Sequence, residues 1–367
     1  METHININNY LNEGIKRLIG NIVKASLGNP RTALFMLNMQ KVAANSKKKK
    51  EKYESMGIHI PAFLVSSITE ECNLFCHGCY ARSNGICGSG KTNKTILTPS
   101  EWESIFNEAA GAGILFNILA GGEPLVRKDV IAAAARQKKM IFPIFTNGTL
   151  IDNDYVELFF KNPNLIPVLS MEGFEQETDE RRGKGIYSKI FSVMGNLKKN
   201  RILYGASVTV TSNNLTTVTS PGFITGLQEL GCKLVFYVEY VPVEKGTEHL
   251  ALPDRQKEEL ENTIARYKEK YSGMIFVSFP GDEKKMGGCL AAGRGFFHIN
   301  PQGEAEACPF SPYSDRSLTS HTLIEVLQSP FFAKLRQAEL VGGEHTGGCV
   351  LFERECEVKQ LLEYQPS

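Results

Sequence analysis

The chain has 367 residues, a formal net charge of +1 and 42% hydrophobic residues. That balance fits a soluble globular protein with a large core, gives no basis for nucleic-acid binding, and leaves no uninterrupted apolar run long enough for a membrane helix. Nine cysteines form no obvious even framework, and the N-terminus lacks the apolar core and cleavage site of a secretory signal. Reduced thiols in a cytoplasm are therefore expected, with metal ligation as the leading use for clustered cysteines.

Residues 1–60 read as a basic helical segment. The first fifty carry nine Lys or Arg, including Lys47 to Lys50, against Glu2 and Glu13. Leu11, Ile15, Leu18, Ile19, Ile22, Val23 and Leu27 share one helical face, and Gly28 reads as its stop. Asn29 then caps a second helix with Pro30 at its first position, which runs into the lysines. Two readings stand: helices packed on the body with a solvated lysine end, or an interfacial anchor giving peripheral membrane contact.

Residues 61–273 alternate apolar runs with helix-length segments. Strands are expected at 62–69, 114–120, 141–146, 165–171, 205–211 and 233–241, with a capping box at Thr98–Glu101 opening a helix and a charged helix at 253–270. Short β-branched and aromatic runs between helices imply a parallel sheet. The fold class is therefore α/β, a partial (β/α)6 TIM-type barrel with N-terminal helices and a small C-terminal domain over 274–367. In such barrels chemistry sits at the strands' C-terminal ends. There the sequence places Cys72, Cys76 and Cys79, then Gly121-Gly122-Glu123-Pro124, Asn147 to Thr149, Ser170 with Glu172, Thr211 with Asn213, and Tyr240 with Pro242.

Three thiols in ECNLFCHGCY leave one iron of a 4Fe–4S cluster without a protein ligand, and an amino-acid head group can chelate such a corner. Zinc held by Cys72, Cys76, Cys79 and His77 is the competing use, but adjacent Cys76 and His77 are poorly placed to share a tetrahedral centre. The C-x3-C-x2-C spacing resembles the signature of the radical S-adenosylmethionine (SAM) superfamily. The resemblance covers roughly residues 60 to 365. It implies a 4Fe–4S cluster binding SAM through its amino and carboxylate groups, whose electron cleaves SAM to methionine and a 5′-deoxyadenosyl radical. A reductant such as flavodoxin or ferredoxin would supply that electron. The cofactor carries the hard chemistry and the protein orients and shields it.

The resemblance assigns cofactor-binding residues one by one. Gly121, Gly122, Glu123 and Pro124 match the segment that receives the SAM ammonium, and Asn147 stands beside it. Ser170 and Glu172 would hold the ribose hydroxyls, Arg182 would face the SAM carboxylate, and Thr209, Thr211 and Val241 would lie near the adenine. The position before the third cysteine is often aromatic in this family and is Gly78 here, with Tyr80 expected to supply the ring. Gly85 to Thr92 also satisfies the phosphate-binding G-x4-G-K-[ST] pattern, but no buried strand precedes it and the next helix opens too late.

Near the C-terminus, Cys289, Gly303 and Cys308 form C-x13-G-x4-C, and Cys349 and Cys356 follow. This resembles the auxiliary-cluster extension called SPASM, or its shorter twitch form, and implies one auxiliary 4Fe–4S cluster. Cys289, Cys308 and Cys349 are three of its expected ligands; the fourth is either Cys356 or Cys87. Cys232 reads as core. The family favours an oxidised or crosslinked peptide or protein substrate. The basic amphipathic start keeps a lipid substrate at the membrane surface open, as well as a small metabolite. An iron–sulfur electron carrier without catalysis is the reading from another class.

Overall fold

The computed structural model describes residues 19–20, 29–85, 87, 95–279, 288–338, 340–341 and 349–363. Apart from Ile19 and Gly20, the first expected helix lies outside them. So does most of the phosphate-loop pattern, Lys91 included.

Nine strands form one sheet in the order β7-β6-β5-β4-β3-β2-β1-β8-β9. They are β1 Phe63–Ser67, β2 Phe116–Ala120, β3 Phe142–Thr146, β4 Leu165–Met171, β5 Gly205–Val210, β6 Leu234–Glu239, β7 Ile275–Phe279, β8 His298–Ile299 and β9 Ala305–Glu306. Every pairing is parallel except the β8–β9 hairpin. The helices used below are α1 Pro30–Ser55, α2 Pro99–Ala112, α3 Asn153–Lys161, α4 Glu175–Arg182, α5 Asp254–Lys270 and α6 Glu355–Glu363. The expected six strands all form within their expected ranges. The sheet differs in not stopping at residue 273: β7 adds a seventh parallel strand. The C-terminal segment then adds β8 to the free edge of β1, pairing Val65 with His298. Phe296, just before β8, stacks on Phe63 at 5.1 Å and meets Phe279 of β7 at 5.6 Å, drawing the two flanks of the sheet together.

Alternation along the strands separates two faces. The outer face packs on helices through residues such as Leu64, Leu119, Ile144, Leu169, Val208 and Tyr237. At the strands' N-terminal ends, Phe116, Ile141, Ile166, Leu234 and Ile275 form a second apolar cluster with Ile19, Met36 and Met39. Helix α1 therefore plugs the bottom of the barrel. Asn29 caps it, accepting from Arg31 N and Thr32 N. Lys49 Nζ donates to Ala110 O at 3.2 Å, and buried Lys50 Nζ to Pro61 O at 2.8 Å. Burial pulls the Lys50 ammonium down to about 8. Part of the lysine run thus fastens the helix to α2 and to the approach to β1, which corrects the expectation of a solvated lysine end. Towards the top, the inner positions shrink to Ser67, Ala120, Ser170, Ser207 and Thr209, leaving room for a ligand.

Candidate active site

The cysteine loop is held by backbone. Past β1 the ladder continues: Ile68 N donates to Ala120 O, Gly122 N to Thr69 O at 2.9 Å, and Glu123 N to Glu71 O at 2.7 Å. The two glycines are required sterically. A Cβ at Gly121 would lie 2.5 Å from Thr69 O and one at Gly122 2.1 Å from Glu71 O, far inside contact distance. Gly121 also holds φ of +129°, which side chains resist. The buried Glu123 carboxylate accepts from Leu125 N, Thr146 Oγ1 and Asn147 N. Burial still raises its pKa despite those bonds. Asn147 Nδ2 donates to Asn73 Oδ1 at 2.9 Å, and Asn73 Nδ2 to Thr149 Oγ1 at 2.7 Å. The loops after β1, β2 and β3 are thus one hydrogen-bonded unit.

From the opposite side, α4 docks on the same loop: His77 N donates to Arg181 O at 2.9 Å, and Arg181 Nε to His77 O at 3.2 Å. Buried Glu172 takes Arg182 in a fork, 2.6 and 2.7 Å, and Arg181 Nη1 at 2.5 Å. Burial pushes Glu172 up, but the two guanidiniums outweigh it and hold the carboxyl below its usual range. Two cations for one anion leave positive charge beside Cys76, whose Sγ lies 3.9 Å from Arg182 Nη1. Burial raises the Cys76 thiol and these arginines oppose it. Burial wins for the thiol itself, while the surplus positive charge favours a carboxylate arriving from a ligand. Arg181 also donates to Thr209 Oγ1 at 2.8 Å. Thr211 is buried against Asn214, whose Nδ2 ties Glu172 O to Thr209 O. Ser170 faces inward beside Ser207, and Val241 is buried at the end of β6.

Gly78 does not leave an empty place. A Cβ there would meet Tyr240 Oη at 2.5 Å, so the ring over this glycine comes from the end of β6. Tyr80 instead turns towards Phe310, 5.0 Å away, because its own turn, Tyr80–Ser83, carries it off the loop. The Tyr240 hydroxyl is buried with no hydrogen-bond partner among the described residues.

A second thiol group lies beyond Tyr80. Cys308 is hydrogen-bonded to Cys349 and close to Cys289, and with burial these neighbours push its pKa well up. Gly303 (φ +87°) makes the β8–β9 turn that returns the chain to Cys308, which explains the glycine in C-x13-G-x4-C. Cys356 is exposed on α6, whereas buried Cys87 packs with Cys72 and Cys79, and its thiol is hydrogen-bonded to Cys72. Neither fourth-ligand candidate is thereby placed with the second group. Sequence reasoning missed Asn73, Arg181 and Asn214, and placed Tyr240 at the end of the sixth strand without giving it a role. It also missed a buried network in which Ser67 Oγ meets His298 Nε2 at 2.7 Å and His298 Nδ1 meets Glu306 Oε2 at 2.6 Å. Arg181, adjacent to Arg182, was the one signal in plain view.

Among the described residues no three His, Cys, Asp or Glu side chains converge closely enough for a single ion. Three thiols on one loop are the donor set of an iron–sulfur cluster with one corner free, and the surplus arginine charge and the Tyr240 hydroxyl, unpartnered among the described residues, fit a polar ligand lying against it. The profile described as the Radical SAM superfamily matches residues 66–219, spanning the cysteine loop to the turn after β5. Residues 66–219 are thus a radical SAM domain.

Among curated relatives of this chain, Fe-coproporphyrin III synthase of Methanosarcina barkeri is 27% identical over 60% of this chain and 54% of its own length. PqqA peptide cyclase of Granulibacter bethesdensis is 28% identical over 68% of each. This chain therefore spans about half of the first and two thirds of the second. Streptococcus suis SuiB, solved bound to its precursor peptide SuiA, superposes with a TM-score of 0.62 at 17% identity, covering 85% of this chain and 73% of its own. That likeness bears out the curled partial barrel. Among the described residues no helix is long and apolar enough to cross a membrane.

Proposed function

We propose that this radical SAM protein abstracts hydrogen from an unactivated carbon of a peptide or protein and completes an oxidation or crosslink with an auxiliary cluster. Cys72, Cys76 and Cys79 would hold the SAM-binding cluster, and Cys289, Cys308 and Cys349 would contribute to the auxiliary one. When bound, the first cluster supplies the electron that cleaves SAM, received from flavodoxin or ferredoxin in a reducing cytoplasm. The remaining work falls to the protein. Gly121 and Gly122 let the GGEP backbone reach the loop, Arg181 and Arg182 present positive charge to the SAM carboxylate, and Ser170, Glu172, Thr209, Thr211 and Val241 shape the ribose and adenine side. The plugged barrel bottom excludes water below.

The observation carrying this reading is the pair of thiol groups on either side of one side chain, Tyr80, with the inner wall of the barrel opening beside the first. The peptide class rests on the relationship to PqqA peptide cyclase and the fold shared with SuiB; no relative supports the lipid reading. A second reading, a tetrapyrrole side chain as substrate, follows from the relationship to Fe-coproporphyrin III synthase. The anaerobically reconstituted, reduced chain should convert SAM to 5′-deoxyadenosine, and Cys76→Ala should not. Supplied in turn with perdeuterated peptides and perdeuterated coproporphyrin, it should incorporate deuterium into 5′-deoxyadenosine only from peptides. Transfer from coproporphyrin alone would replace the peptide reading, and absence of SAM cleavage would remove both.

A further inference from the structure

Four thiols, not three, gather around the first loop. After Cys79 the chain makes the single turn Tyr80–Ser83 and reverses at Gly85, where φ is +72°. Cys87 N then donates to Ala81 O at 2.7 Å, which brings residue 87 back over the turn it has just left. Its side chain is 3% exposed and packs in one small cluster with Ala81, Cys72, Cys79 and Tyr80. Tyr80, with its ring on Phe310, stands between this cluster and Cys308. Asn84 Nδ2 donates to Pro309 O at 3.2 Å, fixing that separation.

We propose that Cys87 is a displaceable fourth ligand of the SAM-binding cluster, capping the corner that Cys72, Cys76 and Cys79 leave free until SAM arrives. The inference rests on the radical SAM reading of the site and adds a resting state to it. The exchange would involve no electrons: the Cys87 sulfur would leave one iron as a thiolate and take up the proton that the SAM ammonium must lose, and the resulting amine with the carboxylate would take its place. A capped corner keeps oxygen and water from the reactive iron between turnovers. It also weakens apparent SAM binding, because only the uncapped fraction is competent; if nine in ten resting chains are capped, the loss is about tenfold.

The test uses the full chain, reconstituted anaerobically, as wild type, Cys87→Ser and Cys87→Ala. Three readouts are compared with and without SAM: iron content, the electron paramagnetic resonance signal of the reduced protein, and alkylation of Cys87 by iodoacetamide measured by mass spectrometry. The cap predicts wild-type iron in both variants and a changed signal only in the absence of SAM. It also predicts SAM binding tightened about tenfold and wild-type Cys87 alkylation that rises several-fold once SAM is added. Loss of about four irons per chain in both variants would place Cys87 on the auxiliary cluster and overturn the proposal. So would alkylation indifferent to SAM. A wild-type signal that SAM does not alter at all would instead remove the superfamily chemistry beneath it.

Discussion

The strongest demand the fold makes on the site falls on Gly122, where the chain after β2 runs hard against the residues before Cys72. In Gly122→Ala the new methyl would sit 2.1 Å from Glu71 O, about 1 Å inside the shortest contact side chains tolerate. The obstacle is backbone, so no rotamer relieves it. The two segments must separate, and the bonds lost are Gly122 N to Thr69 O and Glu123 N to Glu71 O. Two such bonds contribute about 2 kcal/mol, and the residual overpacking costs roughly 1–3 kcal/mol more. A destabilisation of about 3–5 kcal/mol is therefore expected in urea unfolding of the metal-free chain, along with poor iron uptake, because the displaced residues lead directly into Cys72. Gly111→Ala is the control. It lies in α2 with nothing within 4 Å of a new Cβ, and should stabilise by up to about 1 kcal/mol. Gly122→Ala with wild-type unfolding and full iron content would refute the close approach from which the argument starts.

Glu172→Gln removes the one anion between two guanidiniums; with the partners of a buried pair left unmatched, about 3 kcal/mol of stability should go. A loss below about 1 kcal/mol would show the pair to be solvent-screened. Glu239, buried on the outer face of β6 towards α5 with Lys257 and Glu261 near, has its carboxyl pushed up to about 7 by burial. Its folded pKa lies above its unfolded one, so its contribution to stability is full below about pH 4.5 and is lost as pH rises through 7. Glu239→Gln should accordingly flatten the decline of stability between those values, and an unchanged pH profile would remove the effect. Met36→Ala with Met39→Ala should cost about 4 kcal/mol or more by unfolding while leaving assembled protein with normal iron; iron loss at equal folding would tie the plug to the site.

The six barrel strands were legible because each is buried on both faces and so reads as a nearly continuous apolar run, bounded by helices with strong caps. β7 obeys the same rule in IFVSF, but it lies where composition shifts towards glycine and charge, and the domain boundary was drawn just before it, after residue 273. β8 is legible only as one arm of a glycine-rich hairpin in GRGFFHINPQGEAEACPF: two residues carry no periodicity, and nothing local announces their pairing with β1. The site divides along the same line. Motifs continuous in sequence, the cysteine loop, GGEP and C-x13-G-x4-C, announce themselves because their geometry is local. Tyr240 against Gly78, Asn73 against Asn147, and Ser67 against His298 depend on strands far apart in the chain arriving side by side. Gly78 shows why this matters: read alone it is a missing aromatic ring, and only the register of β6 reveals that a ring arrives from elsewhere to fill the space a side chain would need. A departure from a motif is therefore evidence about the residue opposite, and Tyr240→Phe tests it. If the buried hydroxyl serves the ligand rather than the packing, that change should weaken SAM binding while leaving the unfolding midpoint where it was.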